Sequence, residues 1–239
     1  MVLLSQVNNQ SGVANEISFM AKLIKNKTKA HVHVDAVQAY SKISCNMSAN
    51  IDSASITSHK IGGPRGVAGL YLKKNHSIKP LLLGGGQEGG FRASTQSHSL
   101  IVAFAKASRI SFSKIKDAYL CNQKNQENIK TSLTKIAPAI KFPFNNSSPY
   151  ILTFILPGIP SDVLLRHLEA KEFYLSSTSA CSSKQKGFNP TLAALNIPEV
   201  FHKNVIRLSF NQETSIDSVN LLLTAFEEVW KKLEHLTAK

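Results

Sequence analysis

The run DSASITSHKIGGPRGVAGLYL, residues 52–72, places Lys60 directly after a histidine at the end of a small-residue strand. Gly62, Gly63, Pro64 and Gly66 follow it closely. A lysine that forms a Schiff base must be held by its backbone, deprotonated by its surroundings and able to reach a carbonyl group. The strand before Lys60 and the glycine turn after it supply that backbone. Thr57 and His59 add a hydroxyl and an imidazole at the same strand end, where the pair can bind an anion. Taken alone, the tripeptide also reads as a surface lysine after a strand.

Three further positions could carry chemistry. In HVDAVQ (33–38), an aspartate at a buried strand end is costly without a cationic partner, and a protonated ring nitrogen of a bound cofactor is one such partner. Gln38 could then hydrogen-bond a ring oxygen. The alternative is that Asp35 caps the segment after it and Gln38 is solvated. Cys181, in LSSTSACSSKQKG, sits among small hydroxyl residues that cannot pack around a core thiol. A loop of this kind can present a nucleophilic sulfur, or the cysteine is incidental. Arg207, in VIRLSF, follows two apolar strand residues, so its guanidinium is expected in a cleft. There it would clamp a carboxylate in bidentate fashion or form a structural salt bridge.

The elements that must position these residues read as α/β. Residues 15–27 carry Ile17, Met20, Leu23 and Ile24 at helical spacing. AHVHVD (30–35), DSASITSHK and GVAGLYLKK (66–74) read as strands of a largely parallel, buried sheet, in which ligands collect at the carboxyl ends. A glycine-rich loop (83–95) leads to a long helix starting near Gln96. From about residue 118 the character changes. YILTFILPG, FYLSST and NVIRLSF read as strands, and 160–171 as a helix with Ser161 as its N-cap. The last helix carries Val219, Leu222, Leu223, Phe226, Val229, Trp230 and Leu233 as a core stripe.

Composition narrows the classes. The chain has 239 residues, 43% hydrophobic and 18% charged, which is ordinary for a globular protein. No apolar run has the length of a membrane span. The N-terminus reads as a strand leading into a loop rather than as a signal peptide. A net charge of +13 invites a nucleic-acid reading, but the lysines are dispersed and lack interleaved aromatics, so the charge reads as solvated surface. Cys45, Cys121 and Cys181 form neither a disulfide framework nor a paired metal-ligand spacing, which fits a reducing cytoplasm and no metal site.

VNNQSG, HVDAVQ, SHKIGGPRG, GGGQEGGFRAST, SSTSACSS and IRLSF occur in an order that resembles cysteine desulfurases of the NifS/IscS type. These belong to the class V aminotransferase group of fold-type-I pyridoxal-phosphate enzymes. The resemblance runs over essentially the whole chain. It implies an α/β fold in which residues 1–117 are the C-terminal half of a large cofactor domain with a mostly parallel sheet. Residues 118–239 would form a smaller α+β domain carrying the cysteine loop. By this resemblance Lys60 is the Schiff-base lysine, Asp35 the partner of the pyridine nitrogen and Gln38 that of the phenolic oxygen. Asn9 contacts cofactor and substrate, Thr57 and His59 bind phosphate, and Thr95 reaches the phosphate of a partner subunit. Cys181 is the persulfide-forming cysteine, in a setting similar to the long-loop subgroup, and Arg207 binds the substrate carboxylate. The implied reaction converts L-cysteine to L-alanine and passes sulfur to an iron–sulfur scaffold or another acceptor protein, for iron–sulfur cluster synthesis or tRNA thiolation. The implied assembly is a cytoplasmic homodimer using pyridoxal 5'-phosphate.

The sequence also departs from the family pattern. Gly89 stands where an arginine is usual, RAST replaces RSGT, and Asn211 replaces a glycine. The family's N-terminal stretch, with its phosphate-binding turn and ring-stacking histidine, has no counterpart here. Since a helix N-terminus is a major phosphate anchor, the chain alone is expected to hold cofactor weakly unless another polypeptide supplies that part. The rival expectation is a truncated, inactive paralogue serving as a dimerisation or scaffold-binding module.

Overall fold

A computed structural model describes residues 1–44, 49–76, 78–177 and 189–238. They fall into two compact units: 1–7 with 15–115, and 8–14 with 116–239.

In the first unit, β1 (Val2–Ser5), β2 (Val32–Asp35), β3 (Ser53–Thr57) and β4 (Ala68–Leu72) form one sheet in that order. The β1–β2 and β2–β3 pairings are parallel and β3–β4 is antiparallel, so the sheet is mostly parallel. Strand β2 alternates as expected for one buried face: Val32 and Val34 are fully buried and Asp35 is exposed. Helix α1 (Ile17–Lys27) lays Ile17 and Ala21 on these valines, with Ala36, Ile51 and Ala54 completing a small core. Lys25 and Lys27 occupy its last turn, where cations favour the helix dipole. Lys25 is not simply solvated, because its ammonium pairs with the buried Asp52 carboxylate at 2.5 Å. Strand β4 departs from the buried sheet read from sequence: it lies at a sheet edge, and Leu70 and Tyr71 are exposed.

Helix α2 (His98–Ile136) begins close to the expected start and runs well past residue 118, because its periodicity is unbroken there. Its residues up to Ile115 belong to the first unit and the remainder to the second.

In the second unit, β5 (Ile151–Ile155), β7 (Val205–Ser209) and β6 (Ser176–Ser177) form an antiparallel sheet with β7 central. All five β5 residues are buried. Helices α3 (Ser161–Glu169) and α5 (Ile216–Leu233) supply Leu164, Leu168, Phe226, Val229 and Trp230 to a core shared with Phe154, Ile129 and Leu133. The α5 stripe is thus core, with Leu222 and Leu223 packed at its margin. Ser161 is not the N-cap of α3. That position falls to Pro160, whose extended backbone enters the helix without a side-chain cap bond. A short α4 (Pro190–Ala194) is capped by Asn189, whose Oδ1 accepts the Thr191 and Leu192 amides. No helix among the described residues is long and apolar enough to cross a membrane.

Candidate functional site

Strand β3 ends at Thr57 and the chain turns at once into a single 3-10 turn, Ser58–Ile61, which carries His59 and Lys60 outward. Gly62 ends the turn in the left-handed region (φ +83°), a conformation that disfavours a side chain. Gly63 donates its amide to the Ser58 carbonyl at 3.1 Å. It is also pressed against Ser58 so closely that a Cβ there would lie 2.1 Å from the serine hydroxyl. Gly62 therefore supplies the left-handed end of the turn, and Gly63 lets the chain fold back against Ser58 more closely than a side chain allows. Thr57, itself buried, hydrogen-bonds through its hydroxyl to Nδ1 of His59 at 2.9 Å, pairing the two expected anion-binding groups.

Asp35 closes β2, the neighbour of β3, so its carboxylate stands at the same carboxyl end of the sheet as Thr57 and Lys60. The carboxylate is exposed, which removes the burial cost argued from sequence. One oxygen accepts the Val37 amide at 2.9 Å, so Asp35 does cap the turn that follows. The half-buried Gln38 lies in that turn. Thr95 is exposed and lines a cavity of about 760 Å³ bounded by Gly66, Leu70, Phe91 and Phe104.

Lys42 escaped the sequence reading. The residue is 9% exposed, and burial, assisted by the charge of Lys60, pushes its pKa down to about 8. One lysine among the 28 basic residues carries no sequence mark of such burial.

In the second unit the structure joins the two residues expected to bind substrate. Arg207 lies on central β7 opposite Thr153 and Ser176. Its Nη1 donates to the Asn9 carbonyl at 2.8 Å, while the Asn9 side chain remains exposed. Thr153 donates to the next carbonyl, that of Gln10, at 2.6 Å. Cys181 lies outside the described residues. The Asn189 amide donates to His202 Nδ1 at 3.1 Å, while His202 Nε2 donates to the Ile197 carbonyl at 2.9 Å. An accepting Nδ1 and a donating Nε2 define a neutral imidazole. This buried anchor was also missed from sequence.

The first unit thus gathers a carboxylate, a hydroxyl–imidazole pair and an exposed lysine at one sheet end. That donor set fits a phosphorylated aldehyde with a basic ring nitrogen, as in pyridoxal phosphate: anion toward Thr57 and His59, ring nitrogen toward Asp35, carbonyl toward Lys60. The second unit offers a guanidinium suited to a carboxylate.

Comparison with known proteins agrees with this reading of the fold. The Aminotransferase class-V family model matches residues 1–222. The NifS/IcsS protein homolog of Lactobacillus delbrueckii subsp. bulgaricus is 33% identical over 246 residues, covering 99% of this chain and 63% of that relative. Cysteine desulfurase IscS of Rickettsia typhi is 31% identical over 241 residues, covering 97% of this chain and 58% of the relative. The solved NifS-like protein from Rickettsia africae matches with a TM-score of 0.86 at 29% identity, over 96% of this chain and 61% of that one. The chain spans about three-fifths of the length of these relatives.

Proposed function

This chain belongs to the aminotransferase class-V family, and we propose that it supplies the lysine-bearing and thiol-bearing parts of a pyridoxal-phosphate-dependent cysteine desulfurase. The observation that supports this most is the Lys60 turn, closed by Gly62 and Gly63 beside the Thr57–His59 pair and the Asp35 carboxylate.

In this reading Thr57 and His59 hold the cofactor phosphate, Asp35 keeps the ring nitrogen protonated and Gln38 binds the phenolic oxygen. The bound cofactor supplies an electron sink for the substrate α-carbon. Lys60 takes the α-proton of L-cysteine and later returns a proton, acting as a general base and acid. Arg207 clamps the substrate carboxylate and Asn9 orients the substrate. The Cys181 thiolate attacks the substrate sulfur: a bond forms between the two sulfurs, the substrate carbon–sulfur bond breaks, and its electron pair stays with the carbon skeleton, which leaves as alanine after protonation. Cys181 retains the sulfur as a persulfide for an acceptor protein such as an iron–sulfur scaffold. The working form is a cytoplasmic homodimer in which Thr95 reaches the partner copy's phosphate.

Two labels test the reading. The protein is incubated with pyridoxal phosphate, reduced with borohydride and mapped by peptide mass spectrometry. In parallel it is incubated with radiosulfur-labelled L-cysteine. The expected result is cofactor on Lys60 and thiol-releasable sulfur on Cys181. Cys181→Ser should lose the sulfur and keep the Lys60 label. Labelling scattered over many lysines, or none at Lys60, overturns the proposal and favours a non-catalytic module.

A further inference from the structure

At the opposite end of the first unit's sheet from Lys60, three segments converge. His31 immediately precedes β2, Asp52 immediately precedes β3, and His76 follows β4, which runs antiparallel to them. At about 3.3 Å per residue, the five residues of β3 put on the order of 15 Å between Asp52 and the Lys60 turn. This cluster is therefore separate from the site described above.

One ring nitrogen from each histidine and one carboxylate oxygen of Asp52 lie within 4.8 Å of one another. His76 Nε2 is already 3.2 Å from Asp52 Oδ1. Ligand atoms on a tetrahedral zinc at about 2.0–2.1 Å stand roughly 3.3–3.4 Å apart, so this pair has the spacing of a coordination edge. The His31 and His76 rings sit edge to face with centroids 5.6 Å apart, and a modest ring movement closes the remaining gap.

The surroundings hold these groups as a metal site needs. Asp52 is 1% exposed, and its Oδ2 is taken by Lys25 Nζ at 2.5 Å and by the Val32 amide at 2.8 Å. Neither partner engages Oδ1, the oxygen that faces His76. His31 Nε2 is hydrogen-bonded to Ser53 Oγ at 2.7 Å, and the same hydroxyl bonds His33 Nδ1 at 2.8 Å. Histidine ligands are commonly oriented through bonds of this type. The His76 side chain is 33% exposed, which leaves a path for an ion and a water to complete the coordination.

We propose that His31, Asp52 and His76 form a binding site for a zinc-like divalent cation, clipping together the chain entering β2, the chain entering β3 and the chain leaving β4. Two imidazoles and one carboxylate oxygen suit zinc, cobalt or nickel. They do not suit calcium or magnesium, which seek several oxygen ligands, and the Lys25 charge further disfavours a hard cation that depends on carboxylates. The site's role is structural: it secures the end of the sheet remote from Lys60.

The test uses the whole chain with its thiols alkylated by iodoacetamide, so that only nitrogen and oxygen ligands remain. Zinc is titrated calorimetrically in the absence of pyridoxal phosphate and cysteine, and cobalt is followed by its visible absorption. The expected result is one equivalent of zinc bound, a melting temperature that rises with zinc and falls back with chelator, and a cobalt band of low-coordinate nitrogen–oxygen character. His76→Ala, at a partly exposed position, should weaken binding at least tenfold and abolish the rise of melting temperature with zinc. His31→Ala should do the same, and His167→Ala, an exposed control on α3, should change nothing. Binding that is absent, that survives both cluster variants, or that is lost equally in the His167 control overturns the proposal. None of these outcomes depends on the desulfurase reading.

Discussion

Gly63→Ala offers a direct probe of the turn beneath Lys60. A Cβ at this position would lie 2.1 Å from Ser58 Oγ, 3.0 Å from Ala107 Cβ and 3.2 Å from the Ser58 carbonyl oxygen. The first distance is more than an ångström inside ordinary contact, which begins near 3.4 Å. Ser58 is fully buried, and its hydroxyl has no hydrogen-bond partner among the described residues, so moving it breaks no bond. The cost is therefore steric. Overpacking of this kind costs about 1–3 kcal/mol. Part of that is offset by about 0.4–1 kcal/mol, because alanine restricts the unfolded chain. The net expectation is a loss of roughly 0–2.6 kcal/mol in urea unfolding.

Ser58→Ala removes the clashing atom and should itself be nearly neutral. In that background Gly63→Ala should cost much less, with a coupling of about 1 kcal/mol or more between the two positions. Borohydride trapping of pyridoxal phosphate on Lys60 gives a second readout: it should fall in Gly63→Ala and recover in the double variant. If Gly63→Ala destabilises equally with and without the Ser58 hydroxyl, the close approach is not what shapes the turn.

Three other positions give equally direct outcomes. Burial holds the Lys42 pKa at about 8 in the folded protein against an ordinary 10.5, so between those values the unfolded chain binds a proton that the folded one does not. Stability should rise with pH across that window, and below it the full penalty of about 3 kcal/mol applies; Lys42→Met should flatten this rise in paired urea titrations, and parallel curves for the two proteins would contradict the burial argument. His202→Ala strips the Asn189 amide and the Ile197 carbonyl of their shared partner, which should cost about 2–4 kcal/mol in thermal or urea unfolding, two buried groups being left unsatisfied. Arg207→Lys keeps a charge but loses the planar fork, so it should raise the KM for L-cysteine at least tenfold with little change in melting temperature; an unchanged KM would remove Arg207 from substrate binding.

What could be read from the sequence was what local pattern determines. The β-branched run before Asp35 and the small-residue run before Lys60 read as strands, and each motif sits where its strand stops, so both groups fall at the carboxyl end of the sheet. The glycines after Lys60 were legible for the same reason, since a left-handed residue and a position with no room for a Cβ leave a compositional trace. Burial was less legible because it depends on what packs from elsewhere. Asp35, argued as buried, is exposed, whereas Lys42 and Lys25, two ordinary lysines by sequence, are respectively buried and paired with a buried carboxylate.

The opposite end of the sheet shows this difference most sharply. His31, Asp52 and His76 are separated by about twenty residues at each step and form no ligand spacing that a linear reading detects. They meet because β2 and β3 run parallel, so their entrances align, and because β4 runs back, so its exit joins them. A parallel crossover thus creates two sets of neighbours at once. The strand exits are announced by motifs, while the entrances are brought together only by strand pairing. Function tied to the second set has to be sought in the pairing itself.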